Sequence, residues 1–192
     1  MIDLNRKLPI GIQTFEKIRK GNYLYVDKTA LVGKMVSTSI PYFLSRPRRF
    51  GKSLLISTFE AYFLGRKDLF EGLAISQMEV DWQVYPVFHI DLNARKYDSP
   101  ADLIAMLNQH LEKWEAIYGT EKQDRQPEER FAYIIERACV QTGKQVVVLV
   151  DEYDKPLLQA LDNLPSCLLP RALNIAVYYE MKDSLAKAEE WA

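Results

Sequence analysis

The chain of 192 residues has only two cysteines, Cys139 and Cys167, and they do not form a C-x-x-C pair. This spacing gives neither a disulfide framework nor the ligand pattern of a zinc or iron–sulfur site. Long apolar runs are also missing, since no stretch reaches the roughly 18 apolar residues of a membrane helix and the first residues lack the apolar core of a signal peptide. We therefore expect a cytoplasmic protein with no membrane partner.

An excess of one charge is absent as well, because 25 basic residues face 26 acidic ones and the net charge is −1. Such a balance gives no global electrostatic reason to bind nucleic acid or a membrane surface. The chain has no internal repeat or low-complexity tract, and 48% of its residues are hydrophobic against 27% charged. These proportions are typical of a globular protein with one domain.

Apolar residues form strand-like runs and helix-like stripes in turn. Continuous apolar runs predict three buried strands, at residues 40–45, 87–92 and 145–150. Helical spacing predicts three long helices, which begin near residues 52, 100 and 127 and stop at Gly65, Gly119 and Gly143. A shorter helix, capped by Asp27 or Thr29, precedes the first strand. Strands separated by helices imply parallel pairing and an α/β sandwich.

The first candidate site lies between the strand at 40–45 and the helix that begins at Lys52. A phosphate-binding loop uses backbone N–H groups, a lysine for the β- and γ-phosphates, and a serine or threonine hydroxyl for Mg²⁺. Arg46 stands where the G-x-x-x-x-G-K-[ST] pattern has its first glycine. The predicted nucleotide-binding residues of this Walker A loop are Arg46, Arg48, Arg49, Phe50, Gly51, Lys52, Ser53 and Leu54. The alternative is a basic surface turn.

The second candidate site is the acidic pair Asp151 and Glu152, which follows the strand at 145–150 as a Walker B segment would. Open parallel sheets bind ligands at this edge. In phosphate-loop ATPases such an aspartate holds Mg²⁺, and the adjacent glutamate can polarise the attacking water. Asp91 ends the middle strand at the same edge, where a structural cap is its favoured role. The alternative for the whole segment is a solvated loop in which Asp154 caps a helix.

The three arginines of the first site leave several roles open. They could clamp phosphates, contact the nucleotide of a partner subunit or hold a nucleic-acid backbone, and an exposed soluble turn is the alternative. His89 lies in an apolar strand and His110 in a helix. Both histidines are therefore expected to be structural rather than catalytic.

On these residues the sequence resembles the bacterial and archaeal AAA-ATPase-like family, whose members often carry a restriction-endonuclease-like nuclease domain at the C-terminus. The likeness is carried by residues 8–11 with Phe15, and by residues 25–29, 46–54 and 150–157. An arginine at the first loop position is usual for this family. The resemblance implies a P-loop NTPase-like three-layer sandwich with a mostly parallel sheet and with ATP and Mg²⁺ as ligands. It also implies that Lys52 and Glu152 are catalytic and that Ser53 and Asp151 bind the metal.

Beyond Asp162 the sequence departs from the family pattern. In the family a further strand with a polar sensor residue follows the acidic motif and inserts between the two motif strands, and neither this strand nor the nuclease-like domain is recognisable here. We expect a P-loop domain over residues 1–162, incomplete at its C-terminus, and a divergent tail over residues 163–192. A truncated gene product would leave an unpaired gap in the sheet, which threatens stability and catalysis.

Three functions are compatible with these features. The leading hypothesis is a Mg-ATP-dependent hydrolase or the truncated remnant of one, with a homo-oligomer left open because no arginine finger can be assigned. The second is a non-hydrolysing nucleotide-binding or protein-interaction module, which the missing sensor strand motivates. The third is a nucleic-acid-binding fragment that uses Arg48 and Arg49, and it has the least support because the chain has no net basic charge.

Overall fold

The structure is a computed structural model that describes residues 6–38, 41–44, 50–93 and 96–156. These residues form six α-helices and two β-strands: α1 (Phe15–Lys20), α2 (Thr29–Ser37), α3 (Lys52–Phe63), α4 (Lys67–Phe70), β1 (Val87–Asp91), α5 (Pro100–Tyr118), α6 (Pro127–Thr142) and β2 (Val147–Asp151). A 3₁₀ turn over Ala74–Gln77 follows α4. None of the helices in these ranges is long and apolar enough to cross a bilayer.

The two strands pair in parallel, with Val87 opposite Val147 and Asp91 opposite Asp151. Their connection contains α5 and α6, which gives the length that a parallel crossover requires. The predicted strands at 87–92 and 145–150 and their parallel pairing are therefore confirmed, with β2 beginning two residues later than the sequence pattern predicts.

Helices cover both faces of β1. One hydrophobic cluster joins β1 to α5 and α6 through Phe88, Leu111, Trp114, Ile134 and Ala138. Successive residues of a strand point to opposite faces, and His89 accordingly meets Glu60 of α3 on the other side. The fold is thus a mixed α/β arrangement around a parallel pair of strands. The three-layer P-loop sandwich with a larger sheet stays a prediction.

A second cluster lies where α1, α2, α3 and α4 meet. Its buried side chains are Phe15, Val32, Ala61, Leu69, Phe70, Leu73 and Ile75. Asp27 holds this region together, because its Oδ1 accepts the backbone N–H of Thr29 at 2.8 Å and its Oδ2 accepts the N–H of Ala74 at 2.7 Å. The N-cap of α2 is Lys28 rather than the predicted Asp27 or Thr29, and Asp27 acts from one residue earlier by accepting the first N–H of the helix and anchoring the 3₁₀ turn.

The predicted start of α5 is confirmed by its cap. The backbone N–H and the hydroxyl of Ser99 donate to Oδ2 of Asp102 at 2.8 and 2.9 Å, and Pro100 is the first helical residue. Proline suits this position because a first-turn N–H has no partner within the helix. The local signals of the sequence therefore suffice to place this helix end.

Residues 41–44 do not form the buried strand that their apolar character predicts. Tyr42, Phe43 and Leu44 are 44, 45 and 37% exposed and lie outside any strand; the other predicted strand positions, 40 and 45, lie outside the described residues. A strand needs a neighbour for its backbone groups, and β2 pairs only with β1 in the described part of the sheet. The run instead makes an aromatic contact, with the ring centroids of Phe43 and Tyr153 4.8 Å apart.

Candidate functional site

The candidate site lies at the carboxyl edge of the two strands, where α3 begins. The ammonium of Lys52, the first residue of α3, lies 5.9 Å from the ring centroid of Tyr153, which follows β2. At the other end of the helix, the carbonyl of Phe63 accepts the N–H of Tyr85 at 2.8 Å, just before β1. The helix therefore runs antiparallel to the strands and directs the free N–H groups of its first turn toward their carboxyl edge.

Gly51 is the N-cap of α3 and has the left-handed φ of 78°. No atom of the described residues lies within 4 Å of the Cβ that another residue would place there. The backbone conformation, rather than a lack of space, is what favours glycine at this position. This conformation turns the chain into the helix.

The other residues of the predicted phosphate loop differ in their surroundings. Lys52 and Ser53 are half-buried in the first turn of α3, whereas Phe50 is exposed. The side chain of Leu54 packs against the cluster of α1, α2 and α4, so only its backbone is suited to a ligand. Three predicted nucleotide-binding residues lie outside the described residues: Arg46, Arg48 and Arg49.

The acidic pair stands at the end of β2. Asp151 is buried, and its Oδ1 accepts the backbone N–H of Glu152 at 2.9 Å. Glu152 has a φ of 53°, a left-handed conformation that residues other than glycine adopt only rarely. Such conformations concentrate at functional sites, where the surrounding structure compensates their cost. The backbone therefore leaves the extended conformation directly after Asp151, the last residue of β2.

The loops after the two strands are tied to each other. Oδ1 of Asp91 accepts the N–H of Asn93 at 2.8 Å, which is the structural role expected for this aspartate. The ammonium of Lys155 donates to the backbone carbonyl of Asn93 at 2.6 Å and to its side-chain oxygen at 3.0 Å. These hydrogen bonds therefore join the loop after β2 to the loop after β1, next to Asp151.

Tyr153 joins the two predicted motifs. One neighbour of its ring is Phe43, from the segment before the phosphate loop, and another is the ammonium of Lys52. The sequence pattern gives Tyr153 no role, although it stands two residues after Asp151. Only the folded chain shows that its ring lies between the two motifs.

A histidine–carboxylate pair links α3 to β1 behind this edge. Nδ1 of His89 lies 3.1 Å from Oε2 of Glu60. This hydrogen bond raises the pKa of His89 above its ordinary value; burial opposes the shift, and the negative charges of Asp151 and Asp91 add to it. The sequence pattern does not single out Glu60, but its spacing of eight residues from Lys52 places both on one side of the helix.

The oxygen donors at this edge fit Mg²⁺. No group of three or more histidine, cysteine or acidic side chains converges into a metal cluster within the ranges that the structure describes. A magnesium ion at a nucleotide site needs only one or two protein ligands and takes the others from phosphates and water. Ser53 at the start of α3 and Asp151 at the end of β2 are donors of that kind.

Comparisons with known proteins identify the family. The family described as Predicted AAA-ATPase matches residues 9–184. A protein of Azotobacter chroococcum mcd 1, described as an uncharacterized protein in the vnfD 5' region, is 41% identical over 184 residues, and the alignment covers 93% of this chain. The alignment covers 35% of that relative, so the chain spans about a third of its length. No solved structure matches significantly.

The family match continues beyond residue 162, where the sequence predicts a divergent tail. The boundary between a domain and a tail therefore stays a prediction. The match includes both predicted motifs as well as the residues that cap α2. This chain belongs to the AAA-ATPase-like family, whose domains are of the nucleotide-binding ATPase type.

Proposed function

We propose that this chain is a P-loop domain that binds Mg-ATP at the carboxyl edge of its sheet and hydrolyses it. The observation that carries the proposal is the approach of Lys52 to Tyr153, with 5.9 Å between the ammonium and the ring centroid. This contact brings the N-terminus of α3 to the acidic end of β2. Membership of an ATPase-type family supports nucleotide as the ligand.

The phosphate chain of ATP would lie against the first turn of α3. The free N–H groups of that turn and the ammonium of Lys52 supply positive charge to the β- and γ-phosphates. Gly51 allows the backbone to approach the phosphates closely, because glycine has no side chain and adopts a left-handed φ without strain. Ser53 and Asp151 would hold Mg²⁺, which when bound neutralises part of the phosphate charge.

Glu152 would act on the water that attacks the γ-phosphorus. The attack forms a new P–O bond and breaks the bond to the ADP oxygen, and the carboxylate of Glu152 takes the proton of the water. Glu152 is half-buried directly after Asp151 at the carboxyl end of β2. The two carboxylates would then have two tasks, one at the metal and one at the water.

The test is ATP binding by calorimetry, with and without Mg²⁺, for the whole chain and for Lys52→Ala. We expect Mg²⁺-dependent binding that Lys52→Ala abolishes. Lys67→Ala is the matched control, because Lys67 is also the first residue of a helix but is exposed on α4. Thermal unfolding of each variant verifies that it folds. Unchanged ATP affinity in Lys52→Ala would refute the proposed site.

A second candidate function is a module that binds nucleotide or protein without turnover. Val148 and Val150 favour it, since both are partly exposed on β2 and this strand has no second neighbour among the described residues. An apolar strand with a free edge is a ready template for another chain. Phosphate release by the purified chain in the presence of ATP separates the two functions. Steady release supports hydrolysis, and ATP binding without release supports the module.

A further inference from the structure

We propose that His89 and Glu60 are a positioning pair, which sets the rotation of α3 about its axis and thereby the direction of Lys52 relative to Asp151. This role rests on the proposed nucleotide site and names two residues that act on it indirectly. Neither side chain has a hydrogen bond or ion pair to residues 50–54, the part of the phosphate loop that the structure describes, so both act through the helix and the strand that carry them.

The pair lies at the middle of the contact between α3 and the sheet. Nδ1 of His89 and Oε2 of Glu60 are 3.1 Å apart, and the side chains are 25 and 35% exposed. In the strand pairing His89 lies opposite Leu149, two positions before Asp91 and Asp151. The pair therefore joins α3 to the same strand pair that ends in the predicted metal ligand.

Lys52, Ile56 and Glu60 follow each other at intervals of four and form one stripe along α3. At a rise of 1.5 Å per residue, Glu60 is about 12 Å along the helix axis from Lys52. The ends of α3 contact the sheet region through the ring of Tyr153 and a backbone hydrogen bond to Tyr85. Between them, the His89–Glu60 bond is a directional link between two side chains.

The other side of α3 is held mainly by apolar packing of Leu55, Phe59 and Tyr62 against the cluster of α1, α2 and α4. Two hydrogen bonds also lie there, from the N–H of Phe15 to Oγ of Ser57 at 2.9 Å and from Tyr62 to Glu79, but neither of them reaches the strands. An ammonium that extends roughly 8 Å from the helix axis moves by more than about 1 Å for a rotation of about 10°. A displacement of this size weakens an oriented phosphate contact severely.

The ring of His89 depends on Glu60 for its orientation. Its Nε2 is buried and has no hydrogen-bond partner among the described residues. The charged or titratable groups that act on His89 come from four elements: Glu60 on α3, Asp91 on β1, Asp151 on β2 and His110 on α5. Of these four groups, Glu60 is the one that has a hydrogen bond to the ring among the residues that the structure describes. Loss of either partner therefore frees the other.

The experiment compares the ATP dissociation constants of the whole chain and three variants by calorimetry. His89→Leu removes the donor, and we expect its dissociation constant to rise about five- to tenfold. His89→Gln restores an N–H donor and should stay within about twofold of the unchanged chain. Tyr62→Phe is the matched control. Tyr62 is also on α3, but its hydrogen bond to Glu79 lies away from the strands. The dissociation constant of this variant should also stay within about twofold of that of the unchanged chain.

A double variant tests whether the two residues act as a unit. If they do, His89→Leu combined with Glu60→Leu binds ATP no more weakly than His89→Leu alone. Additive losses, an unchanged affinity in His89→Leu, or an equal loss in Tyr62→Phe would each overturn the positioning role. If His89→Leu does not fold, Glu60→Gln takes its place, with an expected loss of about two- to fivefold.

Hydrogen exchange without nucleotide separates this proposal from the proposed function. The amide of Leu55 donates to the carbonyl of Gly51 at 3.0 Å and reports on the first turn of α3. We expect faster exchange at Leu55 in His89→Leu and an unchanged rate in Tyr62→Phe. If the unchanged chain does not bind ATP, the proposed function fails. The exchange rate of the Leu55 amide then tests the positioning role without nucleotide. An unchanged rate in His89→Leu overturns the positioning role.

Discussion

Arg130 and Glu115 form a double hydrogen bond inside the interface between α5 and α6, with Nε to Oε1 at 2.7 Å and Nη2 to Oε2 at 2.8 Å. The residues are only 7 and 2% exposed. Asn108 accepts from Nη1 of Arg130, and Gln123 donates to Oε2 of Glu115. The guanidinium of Arg130 lowers the pKa of the Glu115 carboxyl below its ordinary value. The pair thus fixes how α6 docks on α5 behind β1.

We expect Arg130→Met to lower the free energy of unfolding by about 3 kcal/mol, because it leaves the buried charge of Glu115 without its ion-pair partner, although Gln123 still donates to it. Arg130→Met combined with Glu115→Leu should recover at least half of that loss, since a buried ion pair contributes little beyond what apolar residues of similar volume supply. Urea unfolding followed by circular dichroism measures both. A double variant as unstable as the single one would show that the hydrogen bonds themselves stabilise the interface.

The sequence predicts those parts of the fold that local signals determine. Ser99 and Asp102 predict the start of α5, and the β-branched run before Asp151 predicts β2. Both signals are local, because helix caps and strand propensity act within a few residues. The fate of residues 41–44 is not predictable in this way. The same apolar run suits a strand or an exposed segment, and the presence of a pairing partner decides between them.

The candidate site is predictable only as two separate motifs. Lys52 and Asp151 each stand out in the sequence, whereas the contact of Lys52 with Tyr153 depends on how α3 crosses β2. The pair of His89 and Glu60 is similarly hidden, since a histidine in an apolar strand and a glutamate in a helix are unremarkable one at a time. Contacts between distant elements leave no periodic signal along the chain.

Replacement of Glu152 by glutamine should separate binding from turnover. Glu152→Gln keeps the size of the side chain and the backbone at φ 53°, so we expect ATP affinity within about twofold of the unchanged chain. Phosphate release should fall about a hundredfold or more, because an amide cannot accept the proton. Glu136→Gln, an exposed change on α6, is the control and should leave release unchanged. Equal release by Glu152→Gln and the unchanged chain would exclude the proposed role of Glu152.

Asp27 should make stability depend on pH on the acid side. Partial burial acts to raise the pKa of Asp27, but hydrogen bonds from Thr29 and from the N–H of Ala74 outweigh it and lower the pKa below its ordinary value. A carboxyl with a lowered folded-state pKa stabilises the fold above its unfolded pKa and loses that effect as pH falls through the folded pKa. The stability difference between the unchanged chain and Asp27→Asn should therefore be largest above about pH 5 and should narrow as the pH falls below the ordinary aspartate pKa of about 4. Urea unfolding at each pH tests this, and a constant difference would contradict it.

Gly33→Ala should stabilise the protein. Gly33 lies inside α2, and a Cβ there would meet Cε of Met78 at 3.5 Å and Cγ1 of Ile75 at 3.6 Å, which are ordinary contact distances. Alanine restricts the unfolded chain more than glycine does, so we expect a gain of about 0.5–1 kcal/mol and a rise in Tm of a few degrees. Gly72→Ala is the matched control, because its φ of 74° is unfavourable for alanine although no atom of the described residues lies within 4 Å of the new Cβ. A lower Tm for Gly33→Ala would show that α2 packs more tightly against Ile75 and Met78 than these distances allow.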